Sequence, residues 1–369
     1  MYTIANIRPL GYNVGNHAIH FAMRYMLYET FGRLVSIIDY PATSKHESTT
    51  KAGLTPTTVH EINRFADGVI VGGGNLYEND EIAVDARALA ALKPPLLLFS
   101  NSRGRIYDRN GHLSERSDVI PDAKLVALLG RADISLSRDS ATHRHLRAID
   151  PRDQIGWCPT MNISRYADKL PKLPENEEVG TLISVRTPAL MNVPYRYQSG
   201  IQAHIEAAVD ALRAAGHNRI RILCNDSRDL DFATAFRYTK HVDSVYTNDV
   251  YQYLALLSAA RMVVSYRLHA TLPAVSLGTP IVNIVYDERA QSLFGDLGLT
   301  PTCLNLVELG DRFVAELTEA INTGGYGPTQ HKALVADWET KCDIQFDQLL
   351  QFKELMETYM KTETRPQCR

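Results

Sequence analysis

The sequence predicts an α/β fold with two doubly wound domains. The length of 369 residues fits two domains of roughly 150 residues each. Short apolar runs alternate with amphipathic segments of helical length, the pattern of βαβ units that build parallel sheets. A stretch rich in Pro, Glu, Asn and Lys separates these runs into two sets. We therefore predict a first domain over residues 1–165, a linker over 166–179, a second domain over 180–325, and a C-terminal amphipathic helix and tail over 326–369.

Ten apolar runs predict the strands, five in each domain. In the first domain they cover residues 2–7, 34–40, 68–71, 96–100 and 133–137. In the second domain they cover residues 181–185, 219–224, 244–246, 262–265 and 280–286. Continuous apolar runs of this length are typical of strands that are covered by helices on both faces.

Helical periodicity fills most of the gaps between the strands, clearest over residues 16–30, 81–92, 200–215 and 250–260. Asn16 is the predicted N-cap of the first of these helices. A breaker over residues 323–328 precedes the last helix, whose apolar residues at helical spacing are Leu334, Trp338, Leu349, Phe352 and Met356. This helix either packs on the flank of a domain or crosses back to brace the first domain.

Composition and charge exclude several classes of protein. The chain has 39 Lys and Arg against 42 Asp and Glu, a net charge of −3 that argues against a broad nucleic-acid binder. Its five cysteines are scattered without a CxxC pair, so neither a disulfide framework nor a cysteine zinc site is expected. His17 and His20 are three residues apart but lack a third ligand, and we predict no metal site.

Targeting signals are not evident in the sequence. The first eight residues lack the basic and apolar pattern of a signal peptide. Apolar runs stay well short of the roughly 20 residues that a transmembrane helix needs. We expect a soluble, cytoplasmic protein without a transmembrane segment.

Candidate binding residues follow the strands, because ligands of open α/β sheets lie beyond the carboxyl ends of the strands. In the first domain, the segment over residues 11–19 leads into a helix. A second segment, Gly72-Gly73-Gly74-Asn75, directly follows a buried strand, and its glycines have no side chains that would obstruct a neighbouring element or a ligand. This glycine run is neither G-x-G-x-x-G nor a P-loop. For Arg138 and Asp139 after the fifth strand, we expect an ion pair that stabilises the turn rather than a ligand contact.

In the second domain, three residues predict an anion pocket. Arg186 ends the first strand, and Arg267 and His269 lie on a later turn from strand to helix. A helix N-terminus and an arginine fork both favour a carboxylate or phosphate. The alternatives are an interface salt bridge for Arg186 and a capping arrangement for Arg267 and His269. Two arginines at strand ends of one sheet favour the anion pocket.

These segments resemble the polysaccharide pyruvyl transferase family. Asn13-Val14-Gly15-Asn16 is similar to its N-x-G-D element, and Gly72-Gly73-Gly74-Asn75-Leu76 to its glycine-rich turn. Further along the chain follow Ser137-Arg138-Asp139 for the R-D element and Ser184-Val185-Arg186 for the strand that begins the second domain. Arg267-Leu268-His269-Ala270 is similar to the R-L-H-A segment and is the most specific match. The Gly278-Thr279-Pro280 strand follows it, as the family pattern requires.

Two positions depart from the family pattern. Asn16 stands where the family has the aspartate of N-x-G-D, which removes a negative charge. Asp287-Glu288-Arg289 stands where D-x-K is usual, which replaces a point cation by a planar fork. Either change could alter the acceptor or the donor.

The resemblance implies two Rossmann-like domains in a glycosyltransferase-B-like arrangement and a role in polysaccharide biosynthesis, including exopolysaccharides. It implies transfer of pyruvate from phosphoenolpyruvate to two sugar hydroxyls as a ketal, with release of phosphate. Arg186 and Arg267 would bind the donor anions, and His269 would act at the reacting centre. We also expect Ser265, Leu268 and Arg289 at the donor. Phosphoenolpyruvate is a substrate, and no tightly bound cofactor is expected.

The expected acceptor is a sugar or a lipid-linked glycan. It should contact first-domain residues in the cleft, namely Asn13, Asn16, Gly73, Gly74 and Asn75. Tyr195 and Tyr197 lie on the long segment after Arg186 and could stack on a sugar or form a lid, although an ordered surface loop explains them equally well. The alternatives are a nucleotide-sugar glycosyltransferase or epimerase, or a non-catalytic carbohydrate- or anion-binding relative. A homo-oligomer is compatible with the sequence.

Overall fold

The computed structural model describes residues 1–45, 49–78, 81–174 and 178–362. The first domain contains a six-stranded parallel sheet with strand order β2-β1-β3-β4-β7-β8 and a small antiparallel hairpin, β5 with β6. These strands are β1 (Tyr2–Arg8), β2 (Val35–Pro41), β3 (Gly68–Gly74), β4 (Leu96–Asn101), β5 (Ile106–Tyr107), β6 (Leu113–Ser114), β7 (Ile134–Ser137) and β8 (Gln154–Ile155).

The second domain contains another six-stranded parallel sheet, with strand order β11-β10-β9-β12-β13-β14. Its strands are β9 (Thr181–Val185), β10 (Ile220–Cys224), β11 (Asp243–Tyr246), β12 (Met262–Ser265), β13 (Ile281–Val285) and β14 (Cys303–Asn305). The ten predicted strands are confirmed, and each sheet has one more strand at its edge. The two added edge strands are only two and three residues long, too short to show a pattern.

Helices connect the strands and cover the sheets. In the described part of the chain they are α1 (Val14–Phe31), α2 (Pro56–Phe65), α3 (Ala86–Ala90), α4 (Asp122–Arg131), α5 (Ser140–Ile149), α6 (Tyr195–Gln198), α7 (Ile201–Ala214), α8 (Leu230–Thr239), α9 (Val250–Ala259), α10 (Leu268–Ser276), α11 (Glu288–Asp296), α12 (Leu306–Leu309), α13 (Phe313–Asn322) and α14 (Pro328–Thr362). None of these helices is both long enough and apolar enough to cross a membrane.

Two helix starts differ from the prediction. The N-cap of α1 is Asn13 and not Asn16, because the Asn13 side chain accepts the N–H of Gly15 at 3.0 Å and the helix begins one turn earlier. The helix predicted over residues 81–92 is shorter, since Val84 forms a bridge with Leu54 and Asp85 caps α3 through the N–H of Ala88.

The segment between the two sheets is partly helical. A 3₁₀ segment, Pro159–Lys169, extends into the predicted linker. Residues 175–177 of that linker lie outside the described residues. The domain boundaries given above therefore stay a prediction, whereas the α/β class and the two doubly wound sheets are confirmed.

Helix α14 joins the two domains, which confirms the second of its two interpretations. Near its start, the buried Trp338 donates its indole N–H to the carbonyl of Leu297 in the second domain at 3.0 Å. Toward its end, Phe352 and Met356 are fully buried against Gly68 at the start of β3. One continuous apolar core therefore includes α1, α10 and α14.

Polar contacts also hold the two domains face to face beside the cleft. Arg105 of the first domain forms an ion pair with Glu288 of the second at 2.6 Å. The backbone N–H of Ser140 donates to Asp296 at 2.6 Å. At the cleft itself, the N–H of Val14, which has no partner within its own helix, donates to the carbonyl of Asn225 at 2.8 Å. These contacts fix the loops that build the site.

Candidate functional site

The site lies where the strand order of both sheets reverses. In the first sheet this point lies between β1 and β3, and in the second it lies between β9 and β12. Ligands of open α/β sheets bind at such points, beyond the carboxyl ends of the strands. Here the two points face each other across the cleft, and the loops that follow these strands enclose a polar cavity of about 140 Å³.

Both domains contribute polar side chains to this cavity. The first domain contributes three amides and one guanidinium group: Asn13, Asn16, Asn75 and Arg138. The second contributes the larger part, including Arg186, Asn192, Asn225, Tyr266, Arg267, Leu268, His269, Tyr286, Asp287 and Arg289. The cavity thus brings predicted residues of both domains together. They are the first-domain amides Asn13, Asn16 and Asn75 and the second-domain residues Arg186, Arg267, Leu268, His269 and Arg289.

Arg186 is the cavity arginine with the weakest internal ties in the second domain. It follows β9, donates from Nε to the carbonyl of Leu190 at 3.2 Å, and places Nη1 3.5 Å from Asp226. Burial and then the neighbouring Arg267 lower the pKa of Arg186 to about 10, so it stays charged at neutral pH. Its Nη1 is buried without a hydrogen-bond partner among the described residues, which leaves it available to an anion.

Arg267 both lines the cavity and holds the fold. Its Nε donates to the carbonyl of Val185 at 2.9 Å, and its Nη2 forms a close ion pair with the fully buried Asp229. Asp229 also accepts the N–H of Thr187 at 2.9 Å. Ser265 supports the same turn from behind, because its hydroxyl accepts the N–H of Arg267 at 3.0 Å. Ser265, a predicted donor residue, is itself fully buried and does not line the cavity.

His269 lies in the first turn of α10 and is partly buried. Its carbonyl accepts the hydroxyl of Tyr253 at 3.0 Å, and its Nε2 lies 3.8 Å from the Sγ of Cys158. Burial lowers the pKa of His269 well below its usual range, and the nearby guanidinium groups of Arg138, Arg289 and Arg267 lower it further. In the absence of a bound anion, the ring is therefore neutral at neutral pH.

Gly15 permits the close approach of α1 to this histidine. A Cβ atom at Gly15 would lie 2.8 Å from the Cβ of His269 and 3.3 Å from its Nδ1. These distances are shorter than normal contacts, and the neighbour is the base of the side chain rather than a flexible end. The glycine of the N-V-G-N segment therefore sets the position of the imidazole.

We expect Gly15→Ala to lower turnover while the protein stays folded. The added methyl group must displace His269, whereas alanine itself favours helix over glycine by about 1 kcal/mol. Steady-state rates and thermal unfolding measure both effects. Gly130→Ala is the matched control, because Gly130 is also a helical glycine and its added Cβ would meet open space. Equal rates for wild type and Gly15→Ala would show that the approach of α1 has no effect on His269.

Arg138 is the site residue that the sequence analysis missed. It is only 2% exposed, lines the cavity, and donates from Nη2 to the hydroxyl of Ser102. Its Nε has no hydrogen-bond partner among the described residues. The predicted ion pair with Asp139 was wrong, because Asp139 instead caps α5 by accepting the N–H of Thr142 at 2.9 Å. The position of Arg138 at the carboxyl end of β7 is the signal that could have found it.

Arg289, the cation at the departure from D-x-K, is held by two carboxylates. It lies 2.6 Å from Asp287 and 3.1 Å from Glu78, which belongs to the first domain and is fully buried. Glu78 also lies 3.2 Å from Arg116. These carboxylates offset positive charge of Arg289, as Asp229 does for Arg267. Arg186 has its ion-pair partner only at 3.5 Å, and Arg138 has no ion pair among the described residues, so these two are the more available to an anion.

A larger cavity of about 320 Å³ opens beside the first. The two share Asn13, Asn16, Asn75, Arg186, Leu190 and Asn192 in their walls. The larger one is otherwise lined by mixed apolar and polar residues, among them Pro9, Leu10, Gly11, Tyr12, Pro41, Ala42, Thr43, Glu81, Ala189 and Arg228. Two ligands could therefore contact each other at the shared amides.

Four predicted acceptor residues lie outside both cavities. At Gly73, with φ of 70°, a Cβ would lie 2.3 Å from Ile19, so this glycine serves the packing of β3 against α1. At Gly74 a Cβ would make only an ordinary contact with Ile19 at 3.7 Å, but its φ of 113° favours glycine. Tyr195 is 81% exposed, and Tyr197 donates to the carbonyl of Val307 at 3.4 Å. The segment after Arg186 instead places Leu190 and Asn192 in the cavity walls.

The described residues contain no group of three or more His, Cys, Asp or Glu that could hold a metal ion. His17 and His20 instead belong to a buried polar cluster with Arg8 and Asp39. His17 Nδ1 lies 3.4 Å from Arg8 Nη1, and His20 Nε2 lies 3.4 Å from Asp39. Burial and then Arg8 lower the pKa of His20 to about 3, which keeps it neutral.

Comparison with solved structures confirms the glycosyltransferase-B-like arrangement. A UDP-N-acetylglucosamine 2-epimerase from Rickettsia bellii has a TM-score of 0.55 at 12% identity, over 95% of this chain and 98% of that chain. The UDP-GlcNAc 2-epimerase of Methanocaldococcus jannaschii has a TM-score of 0.51 at 11% identity, over 90% and 98%. An alpha-glucosyltransferase in complex with UDP and DNA has a TM-score of 0.52 at 11% identity, over 94% and 99%. At these identities the likeness shows the fold alone.

Sequence comparison identifies the family. A search of curated protein sequences finds no significant match to this chain. The family model for polysaccharide pyruvyl transferase matches residues 13–288, three quarters of the chain. The matched range begins at Asn13 and includes Arg138, Arg186, Arg267 and His269, the residues that the fold brings together in the cavity. The chain therefore belongs to the polysaccharide pyruvyl transferase family.

Proposed function

We propose that this transferase moves pyruvate from phosphoenolpyruvate to two hydroxyls of a sugar, forming a cyclic ketal and releasing phosphate. One observation carries the proposal: three guanidinium groups surround the imidazole of His269 in a small cavity. Arg138 and Arg186 each have a buried nitrogen without a hydrogen-bond partner among the described residues, whereas Arg267 is also paired with Asp229. Phosphoenolpyruvate matches this arrangement, because it is small and carries a carboxylate and a phosphate on the same carbon, C2. Arginine forks suit both groups.

The donor would bridge the two domains. Arg138 approaches the cavity from the first domain, and Arg186 and Arg267 approach it from the second. A small anion can meet all three only while the domains are closed, as the Val14 and Arg105 contacts hold them. Fixed donors around a developing negative charge are the usual source of transition-state stabilisation.

His269 would deliver a proton to the methylene carbon of the donor, which makes C2 electrophilic. One sugar hydroxyl then adds to C2, phosphate leaves, and the second hydroxyl closes the ketal. Of the two hydroxyl protons, one replaces the proton that His269 gave to the new methyl group, and the other leaves with phosphate. The balance needs no other reactant. Imidazole is the side chain best suited to this transfer near neutral pH.

The acceptor would occupy the larger cavity. Its amides, from Asn13, Asn16, Asn75 and Asn192, can each donate and accept hydrogen bonds with sugar hydroxyls. Tyr12, which is 57% exposed on the rim, offers an aromatic face for a sugar ring. Asn16 carries no charge, so in this chain it would orient a hydroxyl rather than deprotonate it. The acceptor class is a sugar or a lipid-linked glycan of a polysaccharide pathway, and a cytoplasmic donor would place the reaction in the cytoplasm.

Thermal unfolding with different ligands tests the donor. Phosphoenolpyruvate at a hundred times its dissociation constant should stabilise the protein by about 2.7 kcal/mol, whereas UDP and UDP-sugars should not. A panel of sugars and lipid-linked glycans should then reveal acceptor-dependent phosphate release. Stabilisation by UDP-sugars alone would instead support a nucleotide-sugar glycosyltransferase or epimerase. Binding of phosphoenolpyruvate without phosphate release on the whole panel would favour a non-catalytic relative.

A further inference from the structure

A cysteine outside the cavity contacts the histidine inside it. Cys158 precedes the 3₁₀ segment Pro159–Lys169 and is fully buried. Its Sγ lies 3.8 Å from His269 Nε2 and 3.1 Å from the hydroxyl of Thr160. The two partners are 111 residues apart in the chain and come from opposite sides of the domain junction. The scattered positions of the five cysteines do not indicate this contact.

The other groups around the imidazole are cationic or uncharged. The charged groups that act on it are Arg138, which follows β7, and Arg267 and Arg289 of the second domain. The first turn of α1 presents Gly15 to the Nδ1 edge, and α9 presents the Tyr253 hydroxyl to the backbone carbonyl. The nearby carboxylates of Asp287 and Glu78 are bound to Arg289. Among the described residues, the hydrogen-bonding partner of the ring is therefore a thiol and not a carboxylate.

The charge of that partner decides when the ring is protonated. A carboxylate at this place would favour imidazolium even in the free protein. A thiol does not, because burial raises the pKa of Cys158 and keeps it uncharged at neutral pH. A donor anion would bring negative charge next to the ring and would favour imidazolium at that moment. Binding and protonation are then linked, since each favours the other.

We propose that Cys158 is a positioning residue for His269: its thiol holds the Nε2 edge of the ring, and as an uncharged partner it makes the ring take up its proton together with the donor anion. This inference rests on the proposed function. It implies that His269, the general acid, is protonated only when the donor is bound. An acid that is charged only in the complex avoids repulsion from the arginines in the free protein.

Calorimetry of phosphoenolpyruvate binding measures the coupling. At about pH 8 the free donor is fully ionised, because the second pKa of a phosphate monoester is near 6. Titrations in buffers of different ionisation enthalpy then report protons taken up by the protein. We expect net uptake for the wild type and none for His269→Gln. Absence of binding would refute the proposed function, whereas binding without uptake would refute only this inference.

Variants of Cys158 test the positioning. We expect Cys158→Ala to lower kcat by about 10-fold to 10²-fold with little change in KM for the donor, because the ring loses one support. Cys158→Ser should restore most of the rate, since a hydroxyl can also bind Nε2. Cys303→Ala is the control, because Cys303 is a free cysteine of the edge strand β14 and lines neither cavity. Wild-type kcat in Cys158→Ala would overturn the proposal.

A charged replacement separates positioning from a general packing effect. Cys158→Asp should protonate the ring in the free protein, reduce proton uptake on donor binding, and move the alkaline limb of the kcat/KM profile to higher pH. A role in packing alone would leave both readouts unchanged. If this variant does not fold, the Ala and Ser variants still decide the outcome, and unchanged proton uptake in a folded Cys158→Asp contradicts the inference.

Discussion

Replacement of His269 by Gln is expected to lower turnover by about 10²-fold to 10⁴-fold and to change donor affinity by less than about 10-fold. Glutamine is similar in size and can hydrogen-bond, but it cannot deliver a proton. The arginines that attract the donor remain in place. Measurements of phosphate release and of phosphoenolpyruvate binding separate the two effects, and His60→Gln on the exposed face of α2 is the control.

The pH dependence of the wild type gives a second readout of the same residue. The rate should fall as pH rises through the pKa of His269, because the acid must be protonated. Burial and the arginines hold this pKa low in the free protein. We expect the donor anion to raise it in the complex. The limb assigned to His269 should therefore lie at higher pH in kcat than in kcat/KM. Equal loss of binding and turnover in His269→Gln would make this residue a ligand contact, and retained turnover would remove it from the mechanism.

Arg186→Ala is expected to lower kcat/KM by about 10²-fold to 10³-fold with a melting temperature close to that of the wild type. Arg186 lines both cavities, and its internal ties are one hydrogen bond to Leu190 and a 3.5 Å approach to Asp226. Loss of the Arg186 side chain should therefore weaken the interaction with the donor more than it lowers the stability of the fold. Arg186→Lys keeps the charge but loses the fork, so we expect an intermediate defect.

The same substitution at Arg267 should behave differently. Arg267→Ala leaves the carboxylate of Asp229 buried without its cation, which should lower the free energy of unfolding by about 3–5 kcal/mol. The activity of this variant should fall as well. Steady-state rates and thermal melts of both variants measure this contrast. Arg237→Ala, which removes an exposed arginine of α8, should leave both quantities unchanged. A well-folded Arg186→Ala with normal kcat/KM would show that the donor lies elsewhere.

The strands, the parallel sheets and the order of the motifs could all be predicted from the amino-acid sequence. Apolar runs such as Thr181–Val185 are local, and the residues that follow a strand must lie at its carboxyl end. Local patterns alone therefore place Arg186, Arg267 and His269 at one edge of one sheet. The short edge strands and the shift of the α1 N-cap from Asn16 to Asn13 were harder to predict from the sequence, because a segment of a few residues shows little periodicity.

Which strand ends of the two domains meet follows from the packing of the whole chain. Arg138 enters the cavity and the thiol of Cys158 reaches His269 through contacts between residues more than 100 positions apart, which no local pattern records. The same packing directs Gly73 to Ile19 and Tyr197 to Val307, although both looked suited to a ligand. The physical reason is that local patterns fix the direction of each strand and helix, whereas the partner of each side chain depends on how the two domains and α14 close around one core.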